Sequence, residues 1–277
     1  MEDLVRRYLS LWKSFFSNSL TRDLEFKANF LGGLFVDIVF YGVQFFFFSV
    51  IYSYVDALGV FTREDVMIFL VITFLSDTFY MLFFSGNLFN LNRWVVKGEL
   101  DFILLKPVNS QFFISCRYVN TYSLVSIFIL SILLLKLTYT YHENSFLIIN
   151  YIVCSISLIL GVLIFYAFEF IISCLAFWFR NFSYAGWLAG ELTKYSRRPD
   201  SIYKKWFQKT LFSIFPMAML CSVPSRILLW GIEQPSKGIP LTGLELVFLQ
   251  FFIASIFLWI TTVIWKRGLK RYESASS

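Results

Sequence analysis

The chain is 277 residues long, 58% hydrophobic and 21% aromatic, and only 15% of it is charged, well under the roughly 25% of soluble domains. Thirty-five Phe and 15 Tyr spread along most of the length exclude both a soluble fold and a soluble domain on a single anchor, and they predict an all-α polytopic membrane protein. The net charge of +6 is read through the positions of the charges, as membrane topology and not as a nucleic-acid surface.

Residues 1–28 are not a span, yet Leu4, Tyr8, Leu11, Trp12, Phe15, Phe16 and Leu20 recur at helical spacing opposite Arg6, Arg7, Ser10, Lys13 and Ser17. This predicts an amphipathic interfacial helix lying in the headgroup layer with its aromatic side towards lipid. No cleavable signal peptide is visible: the first long apolar run begins near Asn29, and no small-residue cleavage site follows a compact apolar core. Six apolar stretches follow, near 29–53, 66–89, 113–136, 147–179, 210–231 and 243–265, each close to the roughly 20 residues that cross a bilayer core. The fourth is long enough to tilt or to project past the membrane. In the fifth, Pro216, Pro224 and Arg226 predict a kinked or partly re-entrant element covered by its neighbours.

With the N-terminus placed in the cytoplasm, most of the 24 basic residues fall on inner segments: before residue 28, in the loop at 90–112, between Arg180 and Lys209, and after Trp265. The excess of inner Lys and Arg then puts both termini in the cytoplasm. The domain plan is a transmembrane unit at 29–266, with cytoplasmic loops at 90–112 and 180–209, and a cytoplasmic tail at 267–277. The remaining outer loops, about 54–65, 137–146 and 232–242, are too short for a catalytic or receptor domain.

No glycine carries the following lysine of a phosphate-binding loop, so the chain is not expected to hydrolyse ATP by the common route. His142 is the single histidine and falls in an outer loop, which argues against a metal centre or a histidine relay in the membrane. Cys116, Cys154, Cys174 and Cys221 stand singly among apolar residues and read as small buried hydrophobes. The serines lack a base at catalytic spacing. The chain is therefore read as no enzyme.

Asp37, Asp77 and Glu169 lie inside predicted spans. At about 1.5 Å per residue, Asp37 is roughly 12 Å and Asp77 roughly 16 Å into its helix, too deep for lipid exposure. They are expected to line a cavity that handles substrate or protons, or to tie helices together through Ser, Tyr or backbone groups; no intramembrane base stands out as a partner. Gly32, Gly33 and Gly42 would let another helix or subunit approach the first span.

Between the second and third spans stands "VVKGELDFILLKPVN", residues 95–109. It resembles the same loop of the six-helix permease branch of ABC-2 type exporters. "SRRPDSIYKKWFQKTLFSIFPMAMLCSVPSRIL" and the terminal "WKRGLKRYESASS" are similar to two further stretches of that family, in the same order. The resemblance implies that the N-terminal helix is an elbow helix and that two permease chains, identical or paralogous, enclose the pathway. It also implies two cytoplasmic ABC ATPase subunits that carry ATP and Mg. The loop holding Gly98, Glu99, Leu100, Asp101, Leu104, Leu105 and Pro107 would dock on the ATPase. Gly98 would permit the turn, Glu99 would pair with a base or cap a helix, the leucines would fill an apolar pocket, and Pro107 would stop the element. The resemblance places the chain in a bacterial inner membrane. The alternative is a gradient-driven transporter or channel using Asp37, Asp77 and Glu169. Peptide, drug, lipid and glycan cargoes all remain open.

Overall fold

The computed structural model describes residues 2–141, 148–179 and 185–272. Helix α1 (Glu2–Glu25) leads into α2 (Lys27–Ile51) and a small antiparallel hairpin, β1 (Ala57–Leu58) with β2 (Phe61–Thr62). There follow α3 (Arg63–Tyr80), a π-helical turn (Met81–Ser85) and α4 (Gly86–Val96), and then the short α5 (Asp101–Leu104) and α6 (Ser110–Cys116). The chain continues with α7 (Ser123–Tyr141), α8 (Ile148–Cys174) and its 3-10 extension (Leu175–Phe177), and ends with α9 (Ala185–Thr193), α10 (Lys205–Phe212), α11 (Ala218–Trp230) and α12 (Gly243–Arg271). Among the described residues five helices are long and apolar enough to cross a membrane: α2, the 34-residue run Arg63–Val96, α7, α8 with its extension, and α12. His142 lies outside the described residues, as do Arg180 and the last five residues of the tail.

Two spans start where local chemistry says they should. Thr62 and Thr242 each accept a hydrogen bond from the backbone N–H three residues on, and the carboxylates of Asp65 and Glu245 accept the returning N–H. These capping boxes satisfy helix ends that would otherwise expose bare donors. Both caps lie at one end of the bundle, together with the hairpin. There Phe61 meets Trp230 (ring centroids 5.1 Å apart), and a side chain on Gly243 would strike the backbone of Gly231 and Ile232. At the opposite end, here called the loop end, the C-terminal parts of α4, α8 and α12 gather around α5 and α6, with Trp265 packed against Phe170 and Phe177.

The interior is sewn together by short polar side chains, as expected where lipid competes equally for apolar ones. Gln250 of α12 donates to Ser157 O on α8 and Met219 O on α11, both at 2.8 Å, and its own oxygen accepts from Ser157 Oγ at 2.7 Å. Gly161 makes this three-helix contact possible, because a Cβ there would stand 2.9 Å from Met219 O and 3.0 Å from the Leu220 Cα. Those neighbours are backbone and cannot rotate away. Gly161→Val is therefore expected to lower stability by about 1–3 kcal/mol, read as a fall in the melting temperature of the purified protein; an unchanged melt would show that α8 and α11 part without loss.

The third span differs from the expected 113–136. The helix breaks after Cys116, and residues 117–122 plug into the π turn of the preceding long helix. A π turn releases backbone carbonyls from the regular ladder; here Met81 O accepts from Asn120 Nδ2 (2.9 Å) and Leu82 O from Asn120 N (3.2 Å). Asn87 exchanges two bonds with Tyr118, at 2.7 and 2.8 Å. The membrane helix proper therefore starts at Ser123. The fifth expected span is also altered: Pro216 sits in a break between α10 and α11, and α11, at 13 residues, is too short to cross alone. It is walled in by its neighbours, with every residue from Ala218 to Leu229 buried.

Candidate functional site

The loop end presents the segment singled out in the sequence. The helix run closes at Lys97, and Gly98 takes φ +74°, a left-handed conformation that suits glycine. The turn it makes brings Leu100 N–H back to Trp94 O at 3.1 Å. Leu100 and Ile103 point into the chain's own core, with Leu100 fully buried, whereas Phe102 is 73% and Leu105 81% exposed. Leu104 is marginal at 38%. The expectation that Leu100 fills a partner's pocket is thus corrected: on this one-turn helix the pair spaced 100/103 anchors the loop, and the pair 102/105 faces outward. Phe102 was missed, although its three-residue spacing from Leu105 was the available signal. Glu99 is half-buried and 3.7 Å from Arg93 Nε, a loose pair near the surface. Asp101 opens α5.

The loop is tied to distant parts of the chain. Pro107 O accepts from Arg7 of α1 at 2.5 Å, the Asn109 N–H donates to Tyr8 Oη at 2.9 Å, and Tyr8 meets Phe112 edge-on at 4.9 Å. Trp265 of α12 donates to Ser110 Oγ at 3.3 Å. A displacement of α5 would therefore act on α1, on the long helix Arg63–Val96 and on α12 together.

Deeper in the bundle, the buried residues of α2 are Asp37, Tyr41 and Phe48. Asp37 accepts from Ser126 of α7 at 2.9 Å, and Tyr41 shares a hydrogen bond with Thr78 of α3 at 2.9 Å. Asp77 is ion-paired to Arg197, with Nε 3.1 Å from Oδ2; the Asp77 side chain is 7% and that of Arg197 32% exposed. Arg197 also lies over the Phe40 ring at 5.2 Å. This arginine is the partner that no sequence signal named. Asp37 is close enough to Asp77 for their charges to interact. Glu169 is apart from both, further along α8 towards the loop end, with Oε2 enclosed and without a hydrogen-bond partner among the described residues.

Arg197 also corrects the picture of 180–209 as one loop on the cytoplasmic face. From Arg197, paired with a helix-interior acid, the chain runs to Ser201, whose Oγ accepts from Val60 N (3.3 Å) in the hairpin at the far end. Next to it, Asp200 is bound by Arg226 of α11. The stretch is drawn through the bundle, so Arg197 does not count towards a cytoplasmic charge excess.

Several apolar spans, buried polar side chains that tie them together and an anchored loop at one end define a multi-pass membrane protein. Residues 38–276 match the family model described as ABC-2 family transporter protein. The chain belongs to that family, whose membrane proteins work with ABC ATPase partners. No curated protein and no solved structure gives a match. The matched region takes in the loop, Asp77, Glu169 and α11, and leaves α1 and Asp37 outside it.

Proposed function

We propose that the chain is the permease subunit of an ATP-driven exporter in a bacterial inner membrane, with both termini in the cytoplasm. It pairs with a second permease chain, identical or related, and docks on two separate ABC ATPase subunits that hold ATP and Mg. The observation that carries the reading is α5: a one-turn element in a family with ABC ATPase partners, projecting Phe102 and Leu105 into solvent while Leu100 and Ile103 fix it to the bundle. Exposed aromatic and aliphatic anchors beside charged groups are what a docking groove takes hold of. Closure of the ATPases on ATP would push the loop, and its ties to α1 and α12 would spread that motion through the helices.

Asp37, Asp77 and Arg197 belong to the pathway side in this reading. A guanidinium part-way through a membrane and one-third exposed demands a polar neighbour or water, and a seam between two permease chains supplies one. The gradient-driven alternative is weakened because Ser126 and Arg197 already engage Asp37 and Asp77. Glu99→Lys and Phe102→Glu lie outside the apolar spans and should leave insertion intact while cutting recovery of the ATPase in a mild-detergent pull-down by about tenfold or more, the scale of losing one interface anchor. Undiminished ATPase recovery and ATP-dependent transport in both variants would remove the coupling assignment.

A further inference from the structure

A cleft of about 600 Å³ lies between α1 and residues 106–118, and three cations line it: Arg22, Lys106 and Arg117. They converge on two neighbouring rings. The Lys106 ammonium lies 5.2 Å and the Arg117 guanidinium 5.4 Å from the centre of Phe113, while Arg117 and Arg22 lie 5.1 and 6.0 Å from that of Tyr118. Among the described residues the one carboxylate that pairs with them is Asp23, at 3.0 Å from Arg22. Its second oxygen is taken by the N–H and hydroxyl of Thr121, at 3.2 and 2.7 Å. Among the described residues, Lys106 and Arg117 thus share a ring without a counter-charge. Like charges gathered at the edge of a low-dielectric layer are unfavourable unless an anion joins them.

We propose that this cleft binds the phosphate headgroup of an anionic membrane lipid. Ser14 and Asn18 of α1 line the same cleft and can bond glycerol or phosphate oxygens, and Leu11 and Phe15 give an acyl chain an apolar wall. Clustered bases at the headgroup level are the ordinary means of holding anionic lipid. The lipid would bridge α1 and the segment that begins at Lys106, one residue beyond the exposed Leu105, so membrane charge would set how firmly the loop is held. This site involves no ATPase and stands or falls separately from the proposed function.

The test is a thermal melt of the purified full chain in neutral detergent, titrated with phosphatidylglycerol, phosphatidylcholine or inorganic phosphate. Phosphatidylglycerol is expected to raise the melting temperature, with the other two giving little shift. Lys106→Gln and Arg117→Gln should each weaken the apparent affinity for phosphatidylglycerol about tenfold or more, the effect of losing one charge-assisted hydrogen bond. Lys13→Gln, on the outward face of α1, should not. Lys106 is exposed, so its variant folds even if that of Arg117 does not. Equal shifts with both lipids, an equal shift with inorganic phosphate alone, or undiminished affinity in Lys106→Gln would overturn the assignment.

Discussion

Asp200→Ala is expected to unfold the hairpin end of the bundle. Arg226 has no exposed side-chain surface and Asp200 has 1%. The carboxylate takes Nη2 at 3.0 and 2.8 Å and Nε at 3.3 Å, Gln208 adds a bond to Oδ2 at 2.5 Å, and Arg226 Nη1 reaches Lys237 O at 2.6 Å. Phe61 and Trp230 flank the guanidinium at 5.4 and 5.0 Å. Four separate stretches of chain, the hairpin, residues 200–208, α11 and the loop before α12, meet on this one cation. Without the acid, a charge that cannot be shed stays buried with one carbonyl for company, at a cost of about 3–5 kcal/mol. The readout is the melting temperature and the monodispersity of the purified variant. Asp200→Leu combined with Arg226→Met should recover much of the loss, because an apolar pair of similar volume replaces a buried ion pair at little cost. A double variant no better than Asp200→Ala would mean that the pair does more than satisfy itself.

Much of the architecture was legible because long apolar runs have few alternatives. The first, fourth and sixth expected spans coincide with α2, α8 and α12 to within a few residues. The misplaced boundaries share one cause. Hydropathy along the chain registers Tyr118, Asn120 and Thr121 as interruptions of an apolar stretch, and only the folded partner, a π turn with unpaired carbonyls, makes them a plug. Before α11 the Pro216 break was visible, but the burial of Arg226 within that helix was not, since its partner Asp200 lies 26 positions earlier. The same non-locality hid Arg197 from Asp77. In the loop, Gly98, Glu99 and Pro107 were conspicuous as residue types; which of the leucines face outward depends on the turn that Gly98 makes.

Breaking the Asp77–Arg197 pair should separate a clasp from a pathway group, because its two halves fail differently. Asp77→Asn strands a guanidinium among Phe40 and the α3 helix, and a guanidinium has no neutral form available in proteins. Its partial exposure softens the penalty to about 1–3 kcal/mol, between the buried and surface limits. Arg197→Gln strands a carboxyl group instead, which can take up a proton and shed its charge. A stability loss larger for Asp77→Asn than for Arg197→Gln, measured by melts in lipid nanodiscs, is the expected order. Function should rank them the other way if the exposed part of Arg197 faces the route between permease chains: Arg197→Gln then reduces ATP-dependent transport several-fold in a protein that melts almost normally. Asp77 stands on the helix run that ends at Val96, immediately before the Gly98 turn, so a strained Asp77→Asn bundle should also alter ATPase stimulation in the assembled complex. Transport losses that simply follow the melting temperatures of the two variants would make the pair a clasp and nothing more.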